Sequence, residues 1–250
     1  MSVLVPLQPK ARAEFAPTGK LRVGLNYSNF LLVLKDAPGG EPQGIAPDLA
    51  RELARRVGVP IEYVRFDHVG KLADAVRDAV CDVGFLAVEP QRADQIAFAD
   101  AYLEIGAGYL VPAGSPIGSI AEVDRPGVRI AVADRSAYEL WLSRNIKNAT
   151  LMRAESLEGS YQLFLREKLE VLAGLTEGLL SEVQKHPGAR VLEGRFTAVR
   201  QSIGTPKNRP VAAAYLRSYV EDIKASGLVA RTIEQHGIKG VSVAPPASDP

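Results

Sequence analysis

Arg92 is the residue whose neighbours best place it to do chemistry. It follows a short apolar run, residues 83–88, that reads as a buried strand and stops at Glu89-Pro90. A strand that ends in a Pro-containing turn and presents an Arg at its carboxyl end is placed to hold an anion. In open α/β sheets, ligands bind just outside the carboxyl ends of the strands. The planar guanidinium fork makes two parallel charge-assisted hydrogen bonds to a carboxylate. The competing reading is a solvated loop arginine, the common state of that residue type. Other chemistries find less support. His68, His186 and His236 are scattered without metal-ligand spacing, so no zinc site is expected, nor any cofactor. No Ser-His-Asp order, nucleophile elbow or phosphate loop stands out. Cys81 is the single cysteine; it excludes an internal disulfide framework and reads as a structural thiol.

Composition narrows the class. The 250 residues carry a formal net charge of +1, with 46% hydrophobic and 24% charged residues, as a globular protein would. Without a basic run, no nucleic-acid partner is expected. No stretch approaches the roughly 20 apolar residues of a membrane span. The first residues do not read as a signal peptide, because Pro6 and Pro9 break the apolar run and the charges follow it. The expectation is either a protein that stays inside the cell or an export segment missing from this sequence.

The elements that must position Arg92 follow from periodicity. Residues 1–19 read as an irregular arm rich in proline. Strands are expected at 21–25, 61–66 and 83–88, with helices at 46–57 and 71–80 between them. Pro47 suits a first helical turn and Gly58 a helix stop. Residues 35–44 read as a turn. This βαβαβ order implies a parallel sheet covered by helices. A strand at 103–111 leads to a Pro- and Gly-rich boundary at 112–116. A second, similar unit follows, with strands at 128–133, 150–153 and 171–175. Its helices are expected from 137 to about 146, where Ser136 is a plausible N-cap, then over 161–168, and from Thr176 to 185. A short strand at 190–192 and an extended segment at 197–205 lead to a helix over 208–226 capped by Asn208. A last helix spans 228–235, and the tail, 241–250, reads as disordered.

Read in this order, the chain resembles the solute-binding proteins of ABC transporters, in particular the family that binds polar amino acids. The resemblance runs from about Gly19 to Gly237. Its marks are GKLRVGLNYSNF, GIAPDLARELARRVGV, the CDVG…PQR…IAFADAY stretch, VPAGSPIGSI, VRIAVADRSAY and ASGLVARTIEQHGI. It implies a two-lobed α/β fold of the type II periplasmic-binding-protein kind. Each lobe would be a mostly parallel sheet flanked by helices, with two hinge strands and the ligand in the cleft. Lobe 1 would comprise 20–110 and 203–240, and lobe 2 would comprise 111–202. The implied partners are a small carboxylated solute and ABC permease subunits. The implied location is the periplasm, and a monomer is expected.

The resemblance also implies site residues. Arg92 falls at the family's position for gripping the ligand carboxylate, and Ser136 at a hydroxyl that contacts it from a helix start. Ser136 as a simple N-cap is compatible with that role. Asn26, Tyr27 and Phe30 lie in the region after the first strand where aromatics pack on the ligand; the two aromatics could equally be core. Asp48, Asp100 and Tyr102 read as structural. The departures from the family pattern bear on the ligand. The loop before Arg92 has lost its hydroxyl donors and carries Glu89. Arg135 and Ala137 flank Ser136 where the family has Gly and a second hydroxyl. The acid that grips an α-ammonium aligns with Leu175, followed by Thr176 and Glu177. A buried cation without an acid costs several kcal/mol. So Glu89 or Glu177 replaces that acid, or the ligand lacks an ammonium. Arg92 with Arg135 would favour an acidic ligand, unless Arg135 faces solvent. An enzyme of cyclohexadienyl dehydratase type, using Glu89 or Glu177 as acid, is the alternative to a binding protein, and a detached ligand-sensing module is another.

Overall fold

Two salt-linked clamps, built the same way, sit at the starts of the two parallel sheets in the computed structural model of the chain, which describes residues 6–34, 36 and 40–247. Contacts divide the chain into two units, Met1–Glu104 with Arg200–Pro250, and Ile105–Val199. In unit 1, strands β1 (Leu21–Asn26), β2 (Ile61–Phe66) and β3 (Val83–Ala87) are parallel, in the order β2-β1-β3. Leu21 pairs with Ile61 and Val23 with Val83. Strand β4 (Ile96–Phe98) and the edge of β3 both pair antiparallel with β10 (Thr197–Pro206). In unit 2, β6 (Arg129–Ala133) lies parallel between β7 (Thr150–Ala154) and β8 (Val171–Leu175). Strand β5 (Leu103–Val111) runs antiparallel to β8 and carries the short β9 (Arg190–Val191). The chain passes between the units within β5 and again within β10.

Helices cover the sheets where their apolar periodicity requires. α2 (Ile45–Val57) buries Leu49, Ala50, Leu53 and Val57 and stops at Gly58, whose φ of 72° is left-handed. α3 (Val69–Arg77) lays Leu72 and Val76 onto β1 and β3 so closely that a Cβ at Gly24 or Gly84 would strike those side chains. Only glycine leaves that space. In unit 2, α5 (Ala137–Asn145), α6 (Leu157–Arg166) and α7 (Thr176–Val183) follow β6, β7 and β8. Tyr161 and Phe164 of α6 and Leu179 of α7 close the core over Ala131 and Leu172.

The clamp in unit 1 is centred on Asp82, fully buried ahead of β3. Its carboxylate accepts from Arg22 N at 2.9 Å, Nε at 3.0 Å and Nη2 at 2.8 Å. Arg22 Nη2 also donates to the carbonyl of Ala79, a left-handed residue with φ 57°. Unit 2 repeats the device one sheet later. Arg129 N, Nε and Nη2 donate to Glu170 at 2.8, 3.0 and 2.8 Å, and Nη2 reaches the carbonyl of Lys168, φ 48°. Each clamp ties the first parallel strand of its unit, β1 or β6, to the turn before the third, β3 or β8. Unit 1 adds a second arginine, since Arg209 Nη1 donates to Asp82 at 2.6 Å and to the Glu14 carbonyl at 2.8 Å.

The structure corrects several expectations. The arm is not irregular throughout: Pro9–Phe15 form α1, with Ala11 and Phe15 buried and Phe15 set edge-on against Tyr215; residues 1–5 of the arm lie outside the described residues. Helix α8 (Pro210–Ala225) is not capped by Asn208. Instead, Glu14 of α1 accepts from Val211 N at 2.9 Å and Ala212 N at 2.8 Å, and a carboxylate there also suits the helix dipole. α3 ends at Arg77, short of the expected 80, because Ala79 turns left-handed to present its carbonyl to Arg22. α9 (Leu228–Gln235) lies where expected, but the tail is not disordered where described: Val241–Val243 form β11. Residues 248–250, and 35 and 37–39 of the expected turn, lie outside the described residues.

The two clamps differ in burial, and that sets an expected contrast. Asp82→Ala strands two arginines, one of them largely buried, and should cost about 3–5 kcal/mol in urea unfolding. Glu170→Ala removes a half-exposed pair and should cost at most about 1 kcal/mol. Arg129 holds the Glu170 carboxyl below its ordinary range. That stabilisation is therefore present above the unfolded value of about 4.3 and lost on acidification below it. Glu170→Gln should flatten the fall in melting temperature below about pH 4.

Candidate functional site

In each unit the candidate residues gather at the carboxyl ends of adjacent parallel strands. Asn26 ends β1, with Tyr27 and Phe30 just after it, and Glu89 and Arg92 follow its neighbour β3. Arg135 and Ser136 follow β6, and Glu177 follows its neighbour β8. This is the edge at which open α/β sheets take ligands.

Arg92 is not a solvated loop side chain. It sits in α4 (Pro90–Ala93), a single turn started by Pro90, and is only 6% exposed. Its Nη1 donates to the carbonyl of Ala87 at 2.9 Å, which folds the guanidinium back onto the end of β3. Glu89 stands at the N-cap of that turn without making a side-chain cap, and is 8% exposed. Both side chains have further partners. The end of β3 thus combines a buried guanidinium and a buried carboxylate within one turn.

The residues after β1 divide. Asn26 Oδ1 accepts from Ser28 N at 3.3 Å and Ser28 Oγ at 2.7 Å, an Asx arrangement that shapes the turn. Tyr27 is neither core nor wholly free. Its hydroxyl donates to Asp36 Oδ1 at 3.0 Å, and the Arg65 guanidinium lies 4.9 Å from its ring centre. Burial, then the bond to Asp36, pushes its phenol up to about 12. Phe30 is not core: it is 46% exposed. Asp48 binds His236 Nε2 at 2.7 Å and Arg51, which fits its structural reading. Asp36 and Arg65 escape sequence reasoning because their only signal is charge.

In unit 2 the turn after β6 is held by a residue the sequence reading missed. Ser136 is buried and its Oγ accepts from Glu139 N at 3.1 Å, the expected N-cap. Glu139, also buried, reaches back to accept from Arg135 N at 3.2 Å, and it takes Ser143 Oγ at 2.6 Å and Arg153 Nε at 2.9 Å. The Ser-x-x-Glu spacing was its signal. Arg135 is half-buried, with φ 54°, and its side chain has further partners. A buried carboxylate beside the start of α5 already supplies negative charge to that helix terminus. An incoming anion would therefore depend on Arg135 and Ser136 more than on the dipole.

The end of β8 is the least satisfied part. Leu175 stands at the N-cap of α7 and offers no side-chain bond. Thr176 Oγ1 is buried without a hydrogen-bond partner among the described residues, facing Gly106 and Gly108 of β5. Glu177 is half-buried and has no hydrogen bond or ion pair among the described residues. Nearby in the unit, Phe196 stacks on Tyr109 with centroids 4.4 Å apart and tilts against Trp141 at 5.4 Å. These three aromatics are far apart in sequence and carried no signal.

Burial pushes the Cys81 thiol up to about 12, far from a reactive thiolate. Among the described residues no group of His, Cys, Asp and Glu could hold a metal, and no helix is long and apolar enough to cross a membrane.

The fold is that of the type II periplasmic binding proteins. The receptor for L-cysteine of Neisseria gonorrhoeae superposes with a TM-score of 0.76 at 18% identity, covering 92% of this chain and 95% of that one. The ancestral amino acid-binding protein AncCDT-1, a precursor of cyclohexadienyl dehydratase, gives 0.72 at 20% identity, covering 90% and 97%. In sequence, the glutamine-binding protein of Geobacillus stearothermophilus is 23% identical over 195 residues, 76% of this chain and 73% of its own length. The pattern of the bacterial extracellular solute-binding proteins, family 3, matches residues 21–239, and the chain belongs to that family.

The Tyr27 assembly is open to a direct check. Asp36→Asn should bring the Tyr27 titration down from about 12 toward the ordinary value of about 10, followed by NMR of ring-labelled tyrosine. A titration that stays at its original midpoint would mean that burial alone sets it.

Proposed function

We propose that the chain is the solute-binding component of an ABC-type importer and takes a small carboxylated solute. The observation that carries this reading is the buried Arg92 at the carboxyl end of β3. A guanidinium taken out of water is retained where it meets an anion with good geometry. In this proposal the two units serve as the family's two lobes, expected at 20–110 with 203–240 and at 111–202. Arg92 takes the carboxylate. Asn26, Phe30, Glu89 and Tyr27 are the further candidates in unit 1, and Arg135, Ser136 and Glu177 those in unit 2. The protein works as a monomer with ABC permease subunits, on the outer side of the cytoplasmic membrane as its family name implies.

The solute class follows from Leu175. An apolar side chain where relatives grip an ammonium leaves that cation without its partner. The favoured solute is therefore a keto acid or dicarboxylate; an α-amino acid binds only if Glu89 or Glu177 supplies the missing charge. The test is a thermal-shift panel of 2-oxoglutarate, succinate, L-glutamine and L-glutamate. At a solute concentration of 100 Kd the stabilisation should be about 2.7 kcal/mol. Arg92→Ala should abolish that shift, and equal stabilisation of wild type and variant would show the assignment is wrong.

One observation favours a second reading. Glu177, half-buried and unengaged among the described residues, could act as a general acid in loss of water from a cyclohexadienyl substrate. Incubation with prephenate or arogenate decides it: aromatic product that disappears in Glu177→Gln supports the enzyme, and none from the wild type removes it.

A further inference from the structure

We propose that residues 241–247 form a strap that braces β5 where the chain leaves unit 1, and so sets the stiffness of that crossing strand. The strap lies past the family match, which ends at residue 239, and it is built into unit 1 at several points. Strand β11 pairs with β5. Ala244, only 3% exposed, donates its N–H to the carbonyl of Tyr102 at 3.1 Å. Lys224 Nζ, on a side chain only 6% exposed, donates to the carbonyl of Pro245 at 2.9 Å and pairs with Glu221 at 2.6 Å. Glu221 in turn accepts from Ala247 N at 3.3 Å.

Tyr102 is the residue through which this matters. Its ring is fully buried, set edge-on to Phe85 at 6.0 Å, so its backbone is fixed to the core of unit 1. Its N–H donates to Gln201 O on β10 at 2.8 Å while its carbonyl receives the strap. The strap is therefore one bonded residue away from both strands through which the chain passes between the units. Releasing the strap would cost the Lys224–Pro245 bond and the buried Ala244–Tyr102 bond together. Lifting the strap frees the start of β5 on one side and leaves β1, β2 and β3 untouched. The inference does not depend on which solute binds.

Hydrogen–deuterium exchange tests it. A chain ending at Lys239 is compared with the full chain, reading peptides over 102–111 and over 61–66. Exchange over 102–111 should rise at least tenfold in the shortened chain, with 61–66 unchanged. If the shortened chain does not fold, Ala244→Pro in the full chain decides, since it removes the N–H given to Tyr102 while keeping every other residue of the strap. Unchanged exchange over 102–111, or an equal rise in both regions, would overturn the proposal.

Discussion

The buried carboxylate of Asp82 is the interaction on which unit 1 depends. It gathers the backbone and side chain of Arg22 from β1 and the side chain of Arg209 from the start of α8. Its own carbonyl accepts the Thr205 hydroxyl of β10 at 2.9 Å. Arg209 carries the link on to α1 through the Glu14 carbonyl, and Glu14 caps α8. One ion therefore joins the first strand, the third strand, the returning helix and the N-terminal helix. Such a buried ion is stable only with its hydrogen bonds complete, so these elements are held in one arrangement.

Glu170 does the same for unit 2, with fewer partners and more water. The correspondence extends to the left-handed residue whose carbonyl each arginine takes, Ala79 in one unit and Lys168 in the other. What the clamps fix is strand register, and register determines which residues emerge at the carboxyl ends. Arg92 and Asn26 come out on neighbouring strands because Val23 pairs with Val83. Arg135 and Glu177 do so because Ile130 pairs with Val171. The stability device sits at one end of each set of parallel strands and the candidate residues at the other.

Much of the fold could be read from the sequence because its signals are local. Apolar runs marked β3, β5 and β8, and helical spacing with Pro47 and Gly58 marked α2. The failures share one cause, a stabilising partner distant in sequence. Helix α1 has seven residues, too few for periodicity, and is held by Tyr215 and Arg209. The cap of α8 comes from Glu14. The strand at 241–243 is paired by β5. Among the candidate residues, the strand-end position of Arg92 and the N-cap role of Ser136 were legible because a strand end and a helix start are local features. Glu139 was partly legible, by its spacing from Ser136. Asp36 and Arg65, which occupy the hydroxyl and one face of Tyr27, were not.

The end of β8 combines an apolar N-cap residue, Leu175, with a buried Thr176 hydroxyl that has no hydrogen-bond partner among the described residues. The buried Arg92 at the end of β3 is the feature best suited to a carboxylate. The most direct measurement is a crystal structure with the solute that the panel identifies. The expected result is a solute carboxylate within hydrogen-bonding distance of the Arg92 guanidinium and no free ammonium against Leu175. A carboxylate bound away from Arg92 would contradict the account.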